Sequence, residues 1–203
     1  MITDAGTWRG QRVVVAVPPP LASRILWEPA LPAMHDQLFQ RLPMGSLMKV
    51  EAVYDKPFWR PALSGMSVNL EGPMVTSFDN SPPEGTPGVL MGFLGGHHWR
   101  KAGQLPVAER RKLVLQNFAQ AVGDQALHPV DYVEHDWVRE RWSVGGPVSV
   151  ANAGTTVDFG SRIRKPVGRV HWAGTETSTY WNGYMDGAVR SGERAAVEVG
   201  DLL

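Results

Sequence analysis

The run Arg12-Val13-Val14-Val15-Ala16-Val17 is apolar and closed by Pro18-Pro19-Pro20. It predicts a short buried strand, because proline cannot continue a hydrogen-bonded ladder. No strand candidate precedes it, so its sheet partners are expected upstream. Pro32 to Arg41 predicts one short helix. Lys49-Val50-Glu51-Ala52-Val53-Tyr54 alternates polar and apolar as far as Ala52, the pattern of a strand with one wet face. Val75 to Phe78 and Val89 to Leu94 are further strands, separated by the turn-rich stretch from Asn80 to Gly88. Pro106 to Val122 is the clearest helix. Pro106 suits its first turn, Glu109 its positive end and Gly123 its stop, with Leu115, Phe118, Ala119 and Val122 as an apolar stripe. Tyr132 to Trp137 predicts a strand and Val144-Gly145-Gly146-Pro147 a tight turn. Arg169 to Ala173 is a last strand. A polar loop follows, then a helix from about Gly183 to Val199 in which Ala188, Val189, Ala195, Ala196 and Val199 are the expected packing residues. The fold class is α/β (α+β), with sheet and helix interleaved.

Composition narrows the functions. The 203 residues are 43% hydrophobic and 20% charged, too apolar for wholesale disorder. Twenty basic residues balance twenty acidic ones, so no global field draws the chain to nucleic acid or an anionic membrane. The absence of cysteine excludes disulfides, thiolate metal sites, a cysteine nucleophile and a flavin attached through cysteine sulfur. No run approaches the roughly 18 apolar residues of a spanning helix. The first residues lack signal-peptide character, which leaves the cytoplasm as the default location. No serine sits in a Gly-x-Ser-x-Gly elbow. His97-His98, taken as strand neighbours, would point to opposite faces and not converge on a metal. Glu109-Arg110-Arg111-Lys112 predicts the wet face of its helix.

The segment from Arg169 to Ala196 carries the candidate chemistry. Its strand runs into Ala173-Gly174, where a minimal side chain lets a ligand approach the backbone. Thr175, Glu176, Thr177, Ser178 and Thr179 supply hydroxyls and a carboxylate. Gly183 opens a helix whose free N–H groups point back at that loop. Such a site can hold a polyol, a phosphate or an electron-rich ring atom, and the same pattern also describes an ordinary strand-to-helix connection.

The literal residues add a resemblance. Ala173-Gly174-Thr175-Glu176-Thr177, Trp181-Asn182-Gly183-Tyr184-Met185-Asp186-Gly187-Ala188-Val189 and Ser191-Gly192-Glu193-Arg194-Ala195-Ala196 closely resemble the C-terminal flavin-binding segment of the flavin-containing monoamine oxidase family. Pro18-Pro19, Met44-Gly45-Ser46-Leu47-Met48-Lys49, Lys56-Pro57-Phe58-Trp59-Arg60, Met91-Gly92-Phe93, Trp137, Gly145-Gly146 and Lys165-Pro166-Val167-Gly168-Arg169 follow in the family's order. The family's Gly-x-Gly-x-x-Gly turn is absent from the chain. The resemblance therefore implies the C-terminal half of an FAD-dependent amine oxidase, without the N-terminal dinucleotide-binding half. Residues 1–20 would return from the FAD-binding part, 21–140 form the substrate-binding domain, and 141–203 add the strand–loop–helix of a Rossmann-like FAD-binding domain. A cloned piece, a truncated product and one polypeptide of a split enzyme all fit.

By the same resemblance, Lys49 binds a water near flavin N5 and assists the reaction with oxygen, where a lone strand lysine would be read as solvated. Tyr184 is an aromatic wall of the amine site, against a bland reading as a packing tyrosine. Trp137 packs near the flavin ring or simply in the core. Gly174, Thr175, Glu176, Trp181, Gly183 and Met185 form the flavin-binding set, with Glu176 on the ribityl–pyrophosphate part and the Met185 amide on the ring. Pro147 stands at the family's covalent attachment position and Val148 at its second tyrosine, which implies a noncovalent FAD and an incomplete aromatic cage. Trp142, Tyr180 or Trp181 could supply another wall. The implied partners are a small amine and oxygen, with no nucleic acid, no membrane and no metal, and either a separate N-terminal half or a second copy of the chain. A noncatalytic module and a related flavin desaturase are the alternatives.

Overall fold

The computed structural model describes residues 1–61 and 65–203. In chain order its elements are β1 (Ile2–Thr3), β2 (Gly6–Thr7), β3 (Val13–Val15), α1 (Pro19–Ala22), α2 (Ala33–Gln40), β4 (Leu47–Tyr54), β5 (Met66–Val68), β6 (Thr76–Asp79), β7 (Gly88–Gly95), α3 (His97–Ala102), α4 (Val107–Val122), β8 (Asp131–Asp136), α5 (Thr155–Phe159), β9 (Val170–Trp172) and α6 (Met185–Gly200). The expected mixture of sheet and helix is present. The chain divides into two compact units, one contiguous from Gly45 to Gly146, the other made of Met1–Met44 and Pro147–Leu203.

The contiguous unit is built on an antiparallel sheet of order β5-β6-β7-β4-β8. Alternation along β4 buries Met48, Val50, Ala52 and Tyr54 on one face and leaves Leu47, Lys49, Glu51 and Val53 half-exposed on the other. Leu90 and Leu94 of β7 extend the buried face, and α4 lays Val114, Leu115 and Phe118 across it. A Cβ on Gly92 would meet the Met74 sulfur, so a side chain there would require Met74 to shift. The Tyr54 hydroxyl donates to the Ala126 carbonyl at 2.8 Å, and burial raises its pKa above the ordinary tyrosine value.

Two expectations fail in this unit. Arg110 is buried, not on a wet helix face: it donates to both carboxylate oxygens of Glu134 on β8 and to the carbonyls of Gly103 and Leu105. A buried guanidinium survives only with such a full set of acceptors. His97 and His98 open α3 instead of lying on a strand, and their rings face each other with centroids 3.8 Å apart.

In the discontinuous unit β3 and β9 pair in parallel, with Val14 opposite His171. Trp172 anchors the core, ringed by Trp27, His35 and Phe39 at centroid distances of 5.7, 6.1 and 4.9 Å. Ala22, Leu38, Leu42 and Phe159 complete the cluster. The prolines that close the first apolar run also start α1, with Pro19 at the first helical position, where a missing N–H costs nothing. β3 is not the buried strand expected: Val13 and Val14 are exposed. On α6 the inward residues are Gly187, Ser191 and Ala195 at helical spacing, whereas Ala188, Val189 and Ala196, expected to pack, are exposed. Among the described residues no helix is long and apolar enough to cross a membrane.

Candidate functional site

The polar loop between β9 and α6 is braced from within. β9 leads through Ala173 into Gly174, which has a φ of +103° that few residues other than glycine adopt, and whose amide donates to the Ser191 hydroxyl at 3.0 Å. A 3-10 turn follows at Thr175–Thr177. The Thr175 hydroxyl accepts from the Gly183 amide at 2.7 Å and donates to the Tyr184 carbonyl at 3.0 Å, so one side chain joins both ends of the loop. Thr177 donates to the Gly174 carbonyl at 2.9 Å. Asn182 donates to the Glu176 carbonyl at 3.2 Å. Arg194 grips the far side, donating to the Trp172 carbonyl, the Thr177 hydroxyl and Glu198.

Glu176 accepts the Ser149 amide at 3.1 Å through Oε1, tying the segment after Pro147 to the loop. Its Oε2 has no hydrogen-bond partner among the described residues and lies 3.7 Å from where a Cβ on Gly174 would sit. With Val15, Val17, Trp172, Ala173 and Thr177, Glu176 lines a small cleft. Val148 packs on Gly183 at 3.4 Å from the place of a Cβ, so the segment after Pro147 meets the start of α6 through an aliphatic side chain.

Trp181 and Tyr184 stand on this loop as a T-shaped pair with centroids 5.5 Å apart, and both are exposed. Trp181 takes a φ of +52°, uncommon for a bulky residue. Gly187 lies directly beneath it, where a Cβ would collide with the Trp181 carbonyl. Met185, 88% exposed, is the first residue of α6, and the first-turn amides from Met185 to Gly187 have no acceptor inside the helix. Asp186 is engaged by Arg190 at 2.6 Å.

Gly174, Thr175, Glu176, Trp181, Gly183, Tyr184 and Met185 thus form one loop-and-helix-end assembly in the discontinuous unit. Lys49 and Trp137 belong to the contiguous unit. Lys49 lies on the half-exposed face of β4, opposite His135 of β8, and the Trp137 ring meets the His135 ring at 4.5 Å. Trp137 also touches the place a Gly146 side chain would take, at 3.8 Å. Sequence reading gave no role to Ser191 and Arg194. Their signal is a pair of polar residues three positions apart on the inward face of a helix, opposite a glycine-ended strand.

The family of flavin containing amine oxidoreductases matches residues 2–200. The chain belongs to that family. It is 44% identical over 202 residues to AofH of Mycobacterium tuberculosis, a protein named among flavin-containing monoamine oxidases, covering 99% of this chain and 44% of the relative. It is 40% identical over 202 residues to an L-amino acid dehydrogenase of Synechocystis, covering 99% and 43%. The solved structure of cyclohexylamine oxidase from Brevibacterium oxydans superposes with a TM-score of 0.91 at 38% identity, covering 96% of this chain and 43% of that one. The chain therefore spans less than half the length of these relatives.

The loop suits a flavin. Such a cofactor presents ring carbonyls that accept hydrogen bonds and sugar hydroxyls that donate them. Free amides at the start of α6 answer the first, and the uncommitted Oε2 of Glu176 answers the second. Gly174 and Gly183 keep the intervening backbone bare. Among the described residues no cluster of three or more metal-ligating side chains accompanies them.

Proposed function

We propose that this chain supplies the C-terminal part of a flavin-dependent amine oxidase that holds FAD without a covalent bond. The observation that carries the reading is the braced loop from Gly174 to Met185: bare backbone, one uncommitted carboxylate oxygen and free helix-end amides beside two exposed aromatic rings. Bound FAD would supply the redox chemistry, taking a hydride equivalent from the amine Cα–H and passing the electrons to oxygen, which leaves as peroxide. Glu176 would hold sugar hydroxyls and the Met185 amide a ring carbonyl. Trp137 would flank the ring. Tyr184 and Trp181 would orient an apolar neutral amine by its carbon faces. Lys49 would place a cation where negative charge develops on oxygen. The resulting imine would be hydrolysed by water to an aldehyde, with release of ammonia or an amine. With no cysteine in the chain and Pro147 at the family's attachment position, no thioether can form here.

The deciding experiment mixes the intact enzyme, without oxygen, with a panel of monoamines, diamines and amino acids. At least one amine should bleach the visible flavin band, and air should restore it with one peroxide per amine. No bleaching by any of them would sink the reading. In the same enzyme Lys49→Met should slow the oxygen step more than the amine step.

A second reading, a noncatalytic module that associates through its edge, draws on the exposed Val13 and Val14 of β3. FAD titrated into this chain alone separates the two. Binding should be weaker than about 1 μM, about 8 kcal/mol, because the glycine-rich pyrophosphate turn is not in this chain. An intact enzyme equally unable to bind FAD would favour the module.

A further inference from the structure

The half-exposed face of β4 carries a carboxylate that no role above uses. Residues two apart on a strand share a face, so Glu51 stands beside Lys49, with its Oε1 2.8 Å from the Lys49 Nζ. The same oxygen accepts from the Asn80 side chain at 3.1 Å. Asn80 is itself anchored, its amide donating to the Val89 carbonyl at 2.8 Å. The other register neighbours offer Lys49 no anionic partner. Phe93 of β7 and His135 of β8 lie opposite it, and His135 is engaged by Glu140 at 3.3 Å. Glu51 in turn is flanked by Met91 and Val133. Among the described residues Glu51 is the one carboxylate within ion-pair distance of Lys49.

We infer that Glu51 is the positioning residue for Lys49, fixing where its ammonium stands. A lysine carries its charge at the end of four rotatable bonds, and strand geometry fixes only the first atom of the side chain. A carboxylate on the same strand, itself held from the next but one strand by Asn80, supplies the second fixed point. Half-exposed pairs of this kind add little to stability, so location and not stability is what the contact provides. The inference rests on the reading that Lys49 assists the oxygen step, and its test separates the two.

Two measurements test it. In this chain alone, the Lys49 ammonium should give a resolved proton–nitrogen NMR correlation, slowed in exchange by the ion pair. Glu51→Gln keeps the shape and removes the charge, and should broaden that signal away; Glu51→Asp should weaken it only partly. In the intact enzyme, Glu51→Gln should lower kcat/KM for oxygen about tenfold, as expected for a misplaced group, and more than it slows the amine step. Glu51→Asp should recover part of the loss. In a Lys49→Met background, Glu51→Gln should have no further effect on the oxygen step. If Lys49→Met slows the oxygen step but Glu51→Gln leaves it within about twofold, or the two losses add, the positioning role is overturned while the role of Lys49 stands. If Lys49→Met leaves the oxygen step unchanged, the parent reading falls and this one with it, whatever the NMR signal does.

Discussion

Thr175 and Gly183 are joined by a 2.7 Å hydrogen bond from amide to hydroxyl, and the same hydroxyl donates to the Tyr184 carbonyl. The loop's ends are therefore closed by one atom. Thr175→Val keeps the side-chain shape and removes both bonds. It should cost about 1 kcal/mol in the chain's unfolding free energy. Amide hydrogen exchange should rise selectively at Gly183, whose amide loses its acceptor. Thr175→Ser should behave like the parent. Uniform exchange changes across α6 would mean that the brace acts on the whole helix.

Arg110 and Glu134 make the most buried ion pair among the described residues. Arg110→Met leaves the Glu134 charge without its main partner, and should destabilise the chain by about 3–5 kcal/mol in urea unfolding. The double variant Arg110→Met/Glu134→Leu should recover much of that, since neither charge is then stranded. A double variant as unstable as the single one would assign the loss to packing of the arginine stem.

Acid should expose a different pair. Burial pushes the Asp79 carboxyl up, but Arg60 at 2.7 Å and the Ser81 amide at 2.9 Å outweigh it and hold the pKa at about 2, below its ordinary 3.8. A pKa lowered by folding contributes stability that is complete above the unfolded value and lost as pH falls through the folded one. The urea midpoint should therefore drop between about pH 4 and pH 2. Asp79→Asn should start lower and show a shallower drop across that window. Parallel profiles for the two proteins would remove Asp79 from the acid limb.

The flavin linkage can be read from the intact enzyme by acid precipitation, which should leave the colour in solution. A tryptic peptide from residues 142 to 162 carrying flavin mass would overturn the noncovalent assignment.

Pattern reading reached what is local. The alternation from Lys49 to Ala52, the stripe on α4 and the strand–loop–helix around Gly174 are each set by neighbours within a few turns, and each is present. It failed where a partner lies far off. Glu134, 24 residues from Arg110 and on another element, turns a surface-looking arginine into a core one. Gly96, at a φ of +55°, ends β7 before the histidines and so makes them helical. Apolarity places Val189 inward, yet the helix turns it out and turns Ser191 in toward Gly174, beside the expected Ala195. In the candidate site the residue types of the loop were legible. The bracing by Thr175, Ser191 and Arg194 was not, because hydrogen bonds across a folded loop leave no periodic trace.

The two-part make-up of the unit that contains β3 bears on the order in which the chain matures. During synthesis Val13–Val15 emerges before Gly45–Gly146, but its parallel partner Val170–Trp172 emerges only after that stretch is complete. The contiguous unit closes its sheet with antiparallel pairings that all lie within Gly45–Gly146, and parallel pairing across a still longer separation is slow. The valine strand therefore waits for β9 throughout the synthesis of Gly45–Gly146. Within this chain the middle folds before β3 and β9 can pair, and aggregation during expression should track that wait.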